Sequence, residues 1–141
     1  MFTNPSVAEL YSFLKKAKTI AVVGISEREE RASKYVSEYM QRQGYTIYPV
    51  NPNIDSWNGL KAYDSVSEIP EPTRIDIVDV FRRPGFVLPV AEDAIAAGAG
   101  VLWLQQGIVN DEAVELAVSE GLSVVMDTCI MATHKSMKLG I

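Results

Sequence analysis

The sequence predicts an α/β fold in three layers, with a doubly wound, mostly parallel sheet of about five strands between two layers of helices. Short apolar runs alternate along the chain with segments whose apolar residues recur every three or four positions. Helical segments of roughly ten residues between the runs are what right-handed βαβ crossovers need. With 141 residues, the chain is most simply one domain, residues 1–141, that can bury a core of its own.

The elements of the first half follow in order. Ser6 and Glu9 fit a capping box that begins a first helix. TIAVVG, residues 19–24, is an apolar run that ends in glycine, as expected of a buried parallel strand. YTIYPVNP, residues 45–52, predicts the second strand. Between these strands, helical spacing puts five apolar residues on one face of a second helix, namely Ala32, Tyr35, Val36, Tyr39 and Met40.

The second half begins with an irregular stretch. Residues 53–74 are rich in turn formers, and we expect a loop there with at most a short strand or turn. Helical patterns predict two further helices over residues 87–95 and 111–118, and Asn110 is placed to cap the second of them. Three apolar runs predict the remaining strands: IDIVDVF (75–81), GVLWL (100–104) and LSVVMD (122–127).

Composition excludes several classes of protein. A formal net charge of −5 argues against a dedicated nucleic-acid binder. Cys129 is the only cysteine, so an intrachain disulfide is impossible and a reducing compartment is favoured. The sequence has neither a signal-peptide pattern nor an apolar run near the ~20 residues that cross a bilayer. We therefore expect a soluble, cytoplasmic protein that does not contact membranes.

Doubly wound sheets bind ligands at the carboxyl ends of their strands, where the strand order reverses. The first such loop, GISEREER (24–31), keeps only the first glycine of the dinucleotide fingerprint, and Ser26 stands at the second glycine's position. The second strand ends in VNPN, without an acidic residue to bind a ribose diol. An NAD(P)-dependent oxidoreductase is therefore disfavoured, and a more general phosphate site remains.

The segment RASKY (31–35) offers two cations and a hydroxyl at the start of a helix. Arg31 and Lys34 have the spacing of residues on one helix face, and together they suit a polyphosphate. The same segment could instead be a solvated charged surface.

Several motifs in this order resemble the small, free-standing CoA-binding domain proteins, which are similar to the CoA-binding domain of the succinyl-CoA synthetase α subunit. The resemblance extends from about Ser6 to Cys129. Its motifs are GIS, RASKY, GYTIYPVNP, IPEP, DIVDVFRRP, GVLWLQQGIVNDEA and VVMDTC. It implies a Rossmann-like domain that binds coenzyme A. Family loops often read R-P-S where this chain has Arg31, Ala32 and Ser33, so the start of this helix departs from the pattern.

The resemblance also implies a set of ligand-binding residues. Gly24, Ile25 and Ser26 would form the phosphate loop, and Ser33 and Lys34 would contact the phosphates. Three residues of the second strand end would flank the adenosine, and two at the next strand end would line the cleft; these are Val50, Asn51 and Pro52, then Phe81 and Arg82. Arg31 and Lys34, with Arg82 or Arg83, would offset the charge of CoA, and Val50, Pro52 and Phe81 would form a slot for adenine. VNPN and FRRP could also be simple turns.

No catalytic or metal-binding constellation emerges from the sequence. We expect His134, a lone histidine, to lie on the surface, and Cys129 to be a partly buried apolar residue unless it forms a mixed disulfide with CoA. Gln105 and Gln106 could orient a ligand or satisfy loop backbone groups. Trp57 and Trp103 are expected to pack in the core, and Glu27, Glu29 and Glu30 to form a solvated loop.

The sequence thus predicts a protein that binds coenzyme A or a short acyl-CoA without catalysis of its own. The alternatives are an NAD(P)-dependent oxidoreductase and a non-binding interaction subunit. A homo-oligomer and an enzyme partner are both compatible with the sequence.

Overall fold

The computed structural model describes residues 2–71 and 73–140. Its strands are β1 (Thr19–Val23), β2 (Thr46–Val50), β3 (Ser56–Trp57), β4 (Leu60–Lys61), β5 (Ile77–Val80), β6 (Val101–Leu104) and β7 (Ser123–Val125). Five of them form a parallel sheet in the order β2-β1-β5-β6-β7, and β3 and β4 form a separate antiparallel hairpin. The strand order reverses between β1 and β5, so the predicted doubly wound sheet is confirmed.

Helices cover both faces of this sheet. They are α1 (Val7–Lys16), α2 (Ala32–Arg42), α3 (Val87–Ala96), α4 (Asp111–Ser119) and α5 (Ile130–Leu139). The apolar faces of α3 and α4 pack in one core cluster, and those of α1, α2 and α5 pack in the other. Because every residue from Ile77 to Val80 and from Val101 to Leu104 is buried, the middle strands belong to both clusters. Three layers result, as the sequence predicts.

Local signals set the helix starts where the sequence predicts them. The Glu9 amide donates to Ser6 Oγ (3.2 Å) and the Ser6 amide donates to Glu9 Oε1 (3.2 Å), which completes the capping box. Asn110 Oδ1 accepts from the Ala113 amide at 2.9 Å. Among the described residues, no helix combines the length and the apolar character needed to cross a membrane.

The apolar stripe predicted for α2 is only partly correct. Val36 and Met40 are buried, but Ala32 and Tyr35 are exposed, and the polar residues Ser33, Lys34 and Ser37 are buried instead. The reason is the hairpin β3–β4, which packs beside α2 through Trp57 and covers a polar part of its surface. The irregular segment that the sequence predicts as mostly loop supplies this hairpin and a short 3-10 helix, Val66–Glu68.

The largest difference from the sequence prediction is α5, which was not expected. It carries His134 into the core, where the residue is only 5% exposed. His134 Nδ1 lies 2.8 Å from Tyr39 Oη, and the rings of Tyr39 and Tyr45 meet the imidazole edge-on. The expectation of a surface histidine is therefore wrong, because its partners come from α2 and the start of β2, far away in sequence.

Candidate functional site

Gly24 brings three strand ends together at the carboxyl edge of the sheet. Its φ of 84° is left-handed, and its amide donates to the Val50 carbonyl at 2.8 Å. A Cβ at this position would lie 2.3 Å from the Phe81 carbonyl oxygen, which is too close for any side chain. Only glycine therefore lets the loop after β1 pass so near the ends of β2 and β5.

Hydrogen bonds and one buried side chain hold the loop after Gly24 in place. The Ile25 side chain is fully buried, and its carbonyl accepts from Asn51 Nδ2 at 2.8 Å. The Ser26 carbonyl accepts from Trp57 Nε1 (2.9 Å), and Ser26 Oγ accepts from the Arg28 amide (3.0 Å). The loop is thus held in one shape by its own residues and by the hairpin.

Above this loop lies a cleft of about 480 Å³, which we call the arginine cleft. Arg28 and Arg31 line it from the side of α2, and Arg82 and Arg83 line it from the end of β5. Among the described residues that line the cleft, none is a carboxylate. The result is a concentrated positive potential in a protein of net charge −5, which suits a polyanion.

Ser33 is the second distinctive feature of the arginine cleft. It lines the cleft in the first turn of α2 and is only 5% exposed. Its hydroxyl makes no hydrogen bond to any other residue that the structure describes. Arg31, the N-cap residue, makes no side-chain cap either. The Lys34 and Tyr35 amides donate to the Arg31 carbonyl, so the Ala32 and Ser33 amides and the Ser33 hydroxyl remain as donors without an acceptor among the described residues.

Lys34 does not reach the arginine cleft. It is 4% exposed, and its ammonium donates to Asn58 Oδ1 (2.5 Å) and lies 3.5 Å from Glu38 Oε2 and 5.3 Å from the centre of the Trp57 ring. The expectation that Arg31 and Lys34 share a helix face is wrong, because Arg31 precedes the helix while Lys34 points to the hairpin. Lys34 ties α2 to the hairpin.

The acidic residues of the loop do not line the arginine cleft. Glu27 Oε1 accepts from the Asn58 amide (2.8 Å), Glu29 lies 3.8 Å from the Lys34 ammonium, and Glu30 pairs with Arg28 at 2.7 Å. All three are exposed, as the sequence predicts. Glu30 therefore offsets the charge of Arg28, whereas Arg31, Arg82 and Arg83 form no salt bridge with any residue that the structure describes.

A second cavity of about 200 Å³, the β2 pocket, adjoins the arginine cleft and shares Gly24, Asn51 and Arg82 with it. Its walls include Val50, Pro52, Phe86, Val90, Asp64 and Asp93. Burial, and then the nearby Glu92, raise the pKa of Asp93 above its ordinary value. Phe81, expected beside Val50 and Pro52, does not line this pocket; Phe86 does, with the Arg82 guanidinium 4.9 Å from its ring centre.

A third cavity of about 380 Å³, the α5 groove, lies on the other side of the arginine cleft. Apart from the residues it shares with the cleft, it is lined by Tyr35, Val36, Gln105, Gln106, Cys129 and Met131. Cys129 is half-buried and caps α5, where its Sγ accepts from the Ala132 amide at 3.5 Å.

The side-chain amide of Gln105 forms hydrogen bonds within the protein, although Gln105 lines the α5 groove. Its Nε2 donates to Asp79 Oδ1 (2.5 Å), and its Oε1 accepts from the Ile130 amide (3.4 Å). Asp79 is 1% exposed, and burial raises its pKa to about 7, although the hydrogen bond from Gln105 opposes the shift. Gln105 therefore satisfies buried groups, whereas Gln106 is exposed.

Most of the sequence-predicted residues line two of the three cavities, and Phe81 also lines the α5 groove. Ile25 and Lys34 line none of them. Val50 and Pro52 line the β2 pocket. The remaining predicted residues line the arginine cleft: Gly24, Ser26, Arg31, Ser33, Asn51, Phe81 and Arg82. Sequence reasoning missed Asp64, Phe86 and Asp93, which no motif connects to the strand ends.

Comparisons with known proteins agree with this architecture. The model of the CoA binding domain family matches residues 18–135. The chain is 48% identical over 135 residues to the uncharacterized protein YneT of Bacillus subtilis, covering 96% of this chain and 98% of that protein. A solved structure of a hypothetical protein from Pyrococcus horikoshii superposes with a TM-score of 0.91 at 35% identity, covering 98% of this chain and 99% of the other.

A larger enzyme contains a similar segment. The α subunit of the ADP-forming acetate–CoA ligase II of Pyrococcus furiosus is 30% identical over 131 residues, which are 84% of this chain but only 28% of that subunit. The chain belongs to the CoA binding domain family.

Proposed function

We propose that this member of the CoA binding domain family binds coenzyme A or a short acyl-CoA, with the phosphates in the arginine cleft and the adenosine in the β2 pocket. The observation that carries the proposal is the Ser33 hydroxyl, which makes no hydrogen bond to the residues that the structure describes and lines a cleft together with four arginines. Donors left unpaired by the protein beside concentrated positive charge are what a bound phosphate needs.

The charge of the arginine cleft supports CoA over a simple dinucleotide. CoA carries a pyrophosphate and a 3′-phosphate, whereas NAD carries the pyrophosphate alone. Arg28, Arg31, Arg82 and Arg83 match the larger anion, because each guanidinium can bind phosphate oxygens in a bidentate manner. The missing glycines and the missing acidic residue after β2 also disfavour NAD.

The β2 pocket has the chemistry of an adenosine site. Val50, Pro52 and Phe86 offer apolar contact to a flat base. Asp64 and Asp93 offer acceptors for an exocyclic amine or a ribose hydroxyl. The two carboxyl groups would repel a phosphate, so we assign the 3′-phosphate to the arginine cleft as well.

We assign this protein binding without chemistry of its own. The titratable groups with the clearest buried environments, Asp79 and His134, lie behind the cavities and line none of them. The similar segment of the acetate–CoA ligase subunit is a fraction of a longer enzyme. We therefore propose a CoA-binding module that acts with a partner enzyme.

Thermal unfolding with CoA, dephospho-CoA, NAD and ATP tests the proposal. A ligand at a hundredfold excess over its dissociation constant stabilises the native state by about 2.7 kcal/mol. We expect the largest shift with CoA and a smaller one with dephospho-CoA, since the latter lacks the 3′-phosphate. A larger shift with NAD would favour the oxidoreductase alternative, and no shift with any of the four ligands would favour the interaction subunit.

A further inference from the structure

We propose that Asn58, in the turn of the β3–β4 hairpin, is a site of spontaneous covalent modification by its own main chain, and that the modification releases the hairpin from α2. The reaction is deamidation, in which the main-chain nitrogen of Gly59 attacks the side-chain amide of Asn58. The inference goes beyond the proposed function, because neither residue lines any of the three cavities and the reaction does not involve coenzyme A.

The hairpin turn supplies both reacting groups. Asn58-Gly59 is the only Asn-Gly pair in the sequence. The two residues form the loop between the paired residues Trp57 and Leu60, and their φ angles of 47° and 79° are the positive values that such a tight loop needs. Glycine leaves its main-chain nitrogen unshielded, and the space where a side chain would lie is open. The Gly59 amide donates to no residue that the structure describes, and Asn58 is exposed.

The reaction needs no reactant other than water. As the Gly59 nitrogen bonds to Cγ of Asn58, it gives up its proton to solvent. The bond between Cγ and Nδ2 breaks, and ammonia leaves with a proton taken from solvent, so a succinimide ring remains. Water then opens the ring. Cleavage at Cγ gives aspartate, and cleavage at the main-chain carbonyl carbon gives isoaspartate, in which the main chain runs through Cβ and Cγ.

Two residues of α2 restrain the side-chain amide of Asn58. The Lys34 ammonium donates to Asn58 Oδ1 (2.5 Å), and Asn58 Nδ2 donates to Glu38 Oε2 (2.9 Å). Both ends of the amide are therefore held on the helix. Because the attack by Gly59 requires one particular orientation of this amide, we expect the rate to depend on how often the two hydrogen bonds open.

Modification removes contacts that hold the hairpin in place. A carboxylate at this position cannot donate to Glu38, and it lies close to the carboxylates of Glu38 and Glu27, which accept from the side chain and the amide of Asn58 (2.9 and 2.8 Å). Isoaspartate also lengthens the main chain within a loop of two residues, which disturbs the pairing of β3 with β4. Since Trp57 Nε1 donates to the Ser26 carbonyl at 2.9 Å, the loop after β1 is loosened as well.

Peptide mapping by mass spectrometry, on intact protein incubated at pH 8, tests the site. We expect Asn58 to gain the mass difference between water and ammonia, with isoaspartate among the products, while Asn53 and Asn110 stay unchanged. These two are internal controls, because the residues that follow them, Ile54 and Asp111, carry side chains that shield the attacking nitrogen. No modification of Asn58, or equal modification of all three asparagines, would overturn the proposal.

Three variants test the mechanism. Lys34→Ala frees one end of the amide and should speed the modification about tenfold. Ala96→Pro is its control, because it weakens the fold in α3, away from the hairpin, and should not change the rate. Gly59→Asn tolerates a positive φ but shields the nitrogen, so it should slow the modification of Asn58. Equal rates in wild type and Gly59→Asn would overturn the attack by Gly59, and an unchanged rate in Lys34→Ala would overturn the restraint.

Hydrogen exchange tests the release of the hairpin. Anion exchange separates the modified protein from the unmodified protein by its additional negative charge. We expect faster amide exchange in residues 56–61 and 24–31 of the modified protein, and no change in α3 and α4, which pack in the other core cluster. Equal exchange of the hairpin amides in the two forms would overturn the release.

Discussion

At the arginine cleft, the Arg31 guanidinium and the Ser33 hydroxyl make no hydrogen bond to the residues that the structure describes. Behind the cleft, by contrast, protein partners hold Lys34, Asp79 and His134. Lys34 is bound by Asn58 and Glu38, Asp79 by Gln105, and His134 by Tyr39. Both groups are polar, and Ser33 is as buried as His134. For these five residues, pairing within the protein rather than burial separates the groups that stabilise the fold from the groups that line the cleft. Ser37, whose buried Oγ also has no partner among the described residues, lines none of the three cavities.

In the segment RASK (31–34), residues of the cleft and residues paired within the protein are adjacent in sequence. Ser33 and Lys34 are neighbours in sequence, but successive residues of an α-helix point about 100° apart. Ser33 consequently faces the arginine cleft and Lys34 faces the β3–β4 hairpin. If this division is correct, substitutions behind the cleft should change stability, and substitutions in the cleft should change ligand affinity.

The largest effect is expected at Asp79. Its pKa of about 7 in the folded state exceeds the ordinary value of 3.8 by about three units. The folded protein therefore binds a proton that the unfolded chain releases between about pH 4 and pH 7, and stability falls as the pH rises through that window. Asp79→Asn imitates the neutral acid and removes this loss, so it should stabilise the protein at pH 8 by up to about 4 kcal/mol and change little near pH 4.

Urea unfolding at pH 4.5 and pH 8 measures the change in unfolding free energy that Asp79→Asn causes. Asp76→Asn is the control, because it should change the unfolding free energy in the opposite direction. Burial alone would raise the pKa of Asp76, but hydrogen bonds from the Lys18 amide, the Arg74 guanidinium and the Thr19 amide and hydroxyl lower it below its ordinary value. Asp76→Asn should therefore destabilise the protein at neutral pH. Parallel pH profiles for wild type and Asp79→Asn would contradict the assignment of a buried neutral carboxyl group.

The next effect is expected at Lys34. Lys34→Ala leaves Asn58 and Glu38 without their cation and should lower the free energy of unfolding by about 2 kcal/mol. This is less than the roughly 3–5 kcal/mol of a fully buried pair, because Glu38 is partly exposed. The salt dependence of CoA binding should not change, since Lys34 does not line the cleft. Lys16→Ala, at an exposed position on α1, is the control. A weaker salt dependence together with unaltered stability would place Lys34 at the phosphates after all.

In the cleft itself, Arg31→Ala should weaken CoA binding and leave the stability of the fold unchanged, the reverse of what is expected for Lys34→Ala. We expect the dissociation constant for CoA to rise about tenfold, or about 1.4 kcal/mol, and its salt dependence to weaken, because one phosphate contact is lost. The unfolding free energy should change by less than about 0.5 kcal/mol, as for other exposed residues. Arg42→Ala, at the opposite end of α2, should affect neither quantity. A drop in stability as large as that of Lys34→Ala would remove the distinction between the two regions.

The smallest change in stability is expected for a substitution of Ala32, at the start of α2. Ala32 is the first residue of α2, where proline needs no amide hydrogen bond and already has a helical φ. Ala32→Pro should stabilise the protein by about 0.4–1 kcal/mol by restricting the unfolded chain. Thermal unfolding measures this, with Ala96→Pro, inside the last turn of α3, as a destabilising control. A destabilising Ala32→Pro would mean that its amide is needed in the folded state.

Several features of this molecule follow from local sequence. The capping box of Ser6 and Glu9 and the cap formed by Asn110 depend on contacts three residues apart, and both are predicted correctly. The glycine that ends β1 marks the point where the chain must turn sharply, so the region of the candidate site is predictable too. The position of the Lys34 side chain cannot be predicted from local sequence, because it contacts Asn58, Glu38 and Trp57 only when the hairpin packs on α2.

By itself, the sequence determined the alternation of strands and helices, the doubly wound sheet and the edge at which the candidate site lies, since periodicity and helix caps act over a few residues. The tertiary structure alone decided that Phe86, Asp64 and Asp93 join the β2 pocket, that His134 enters the core, and which polar residues remain without a protein partner. Each of these outcomes depends on side chains from distant segments meeting across the packed layers, and no local pattern carries that information.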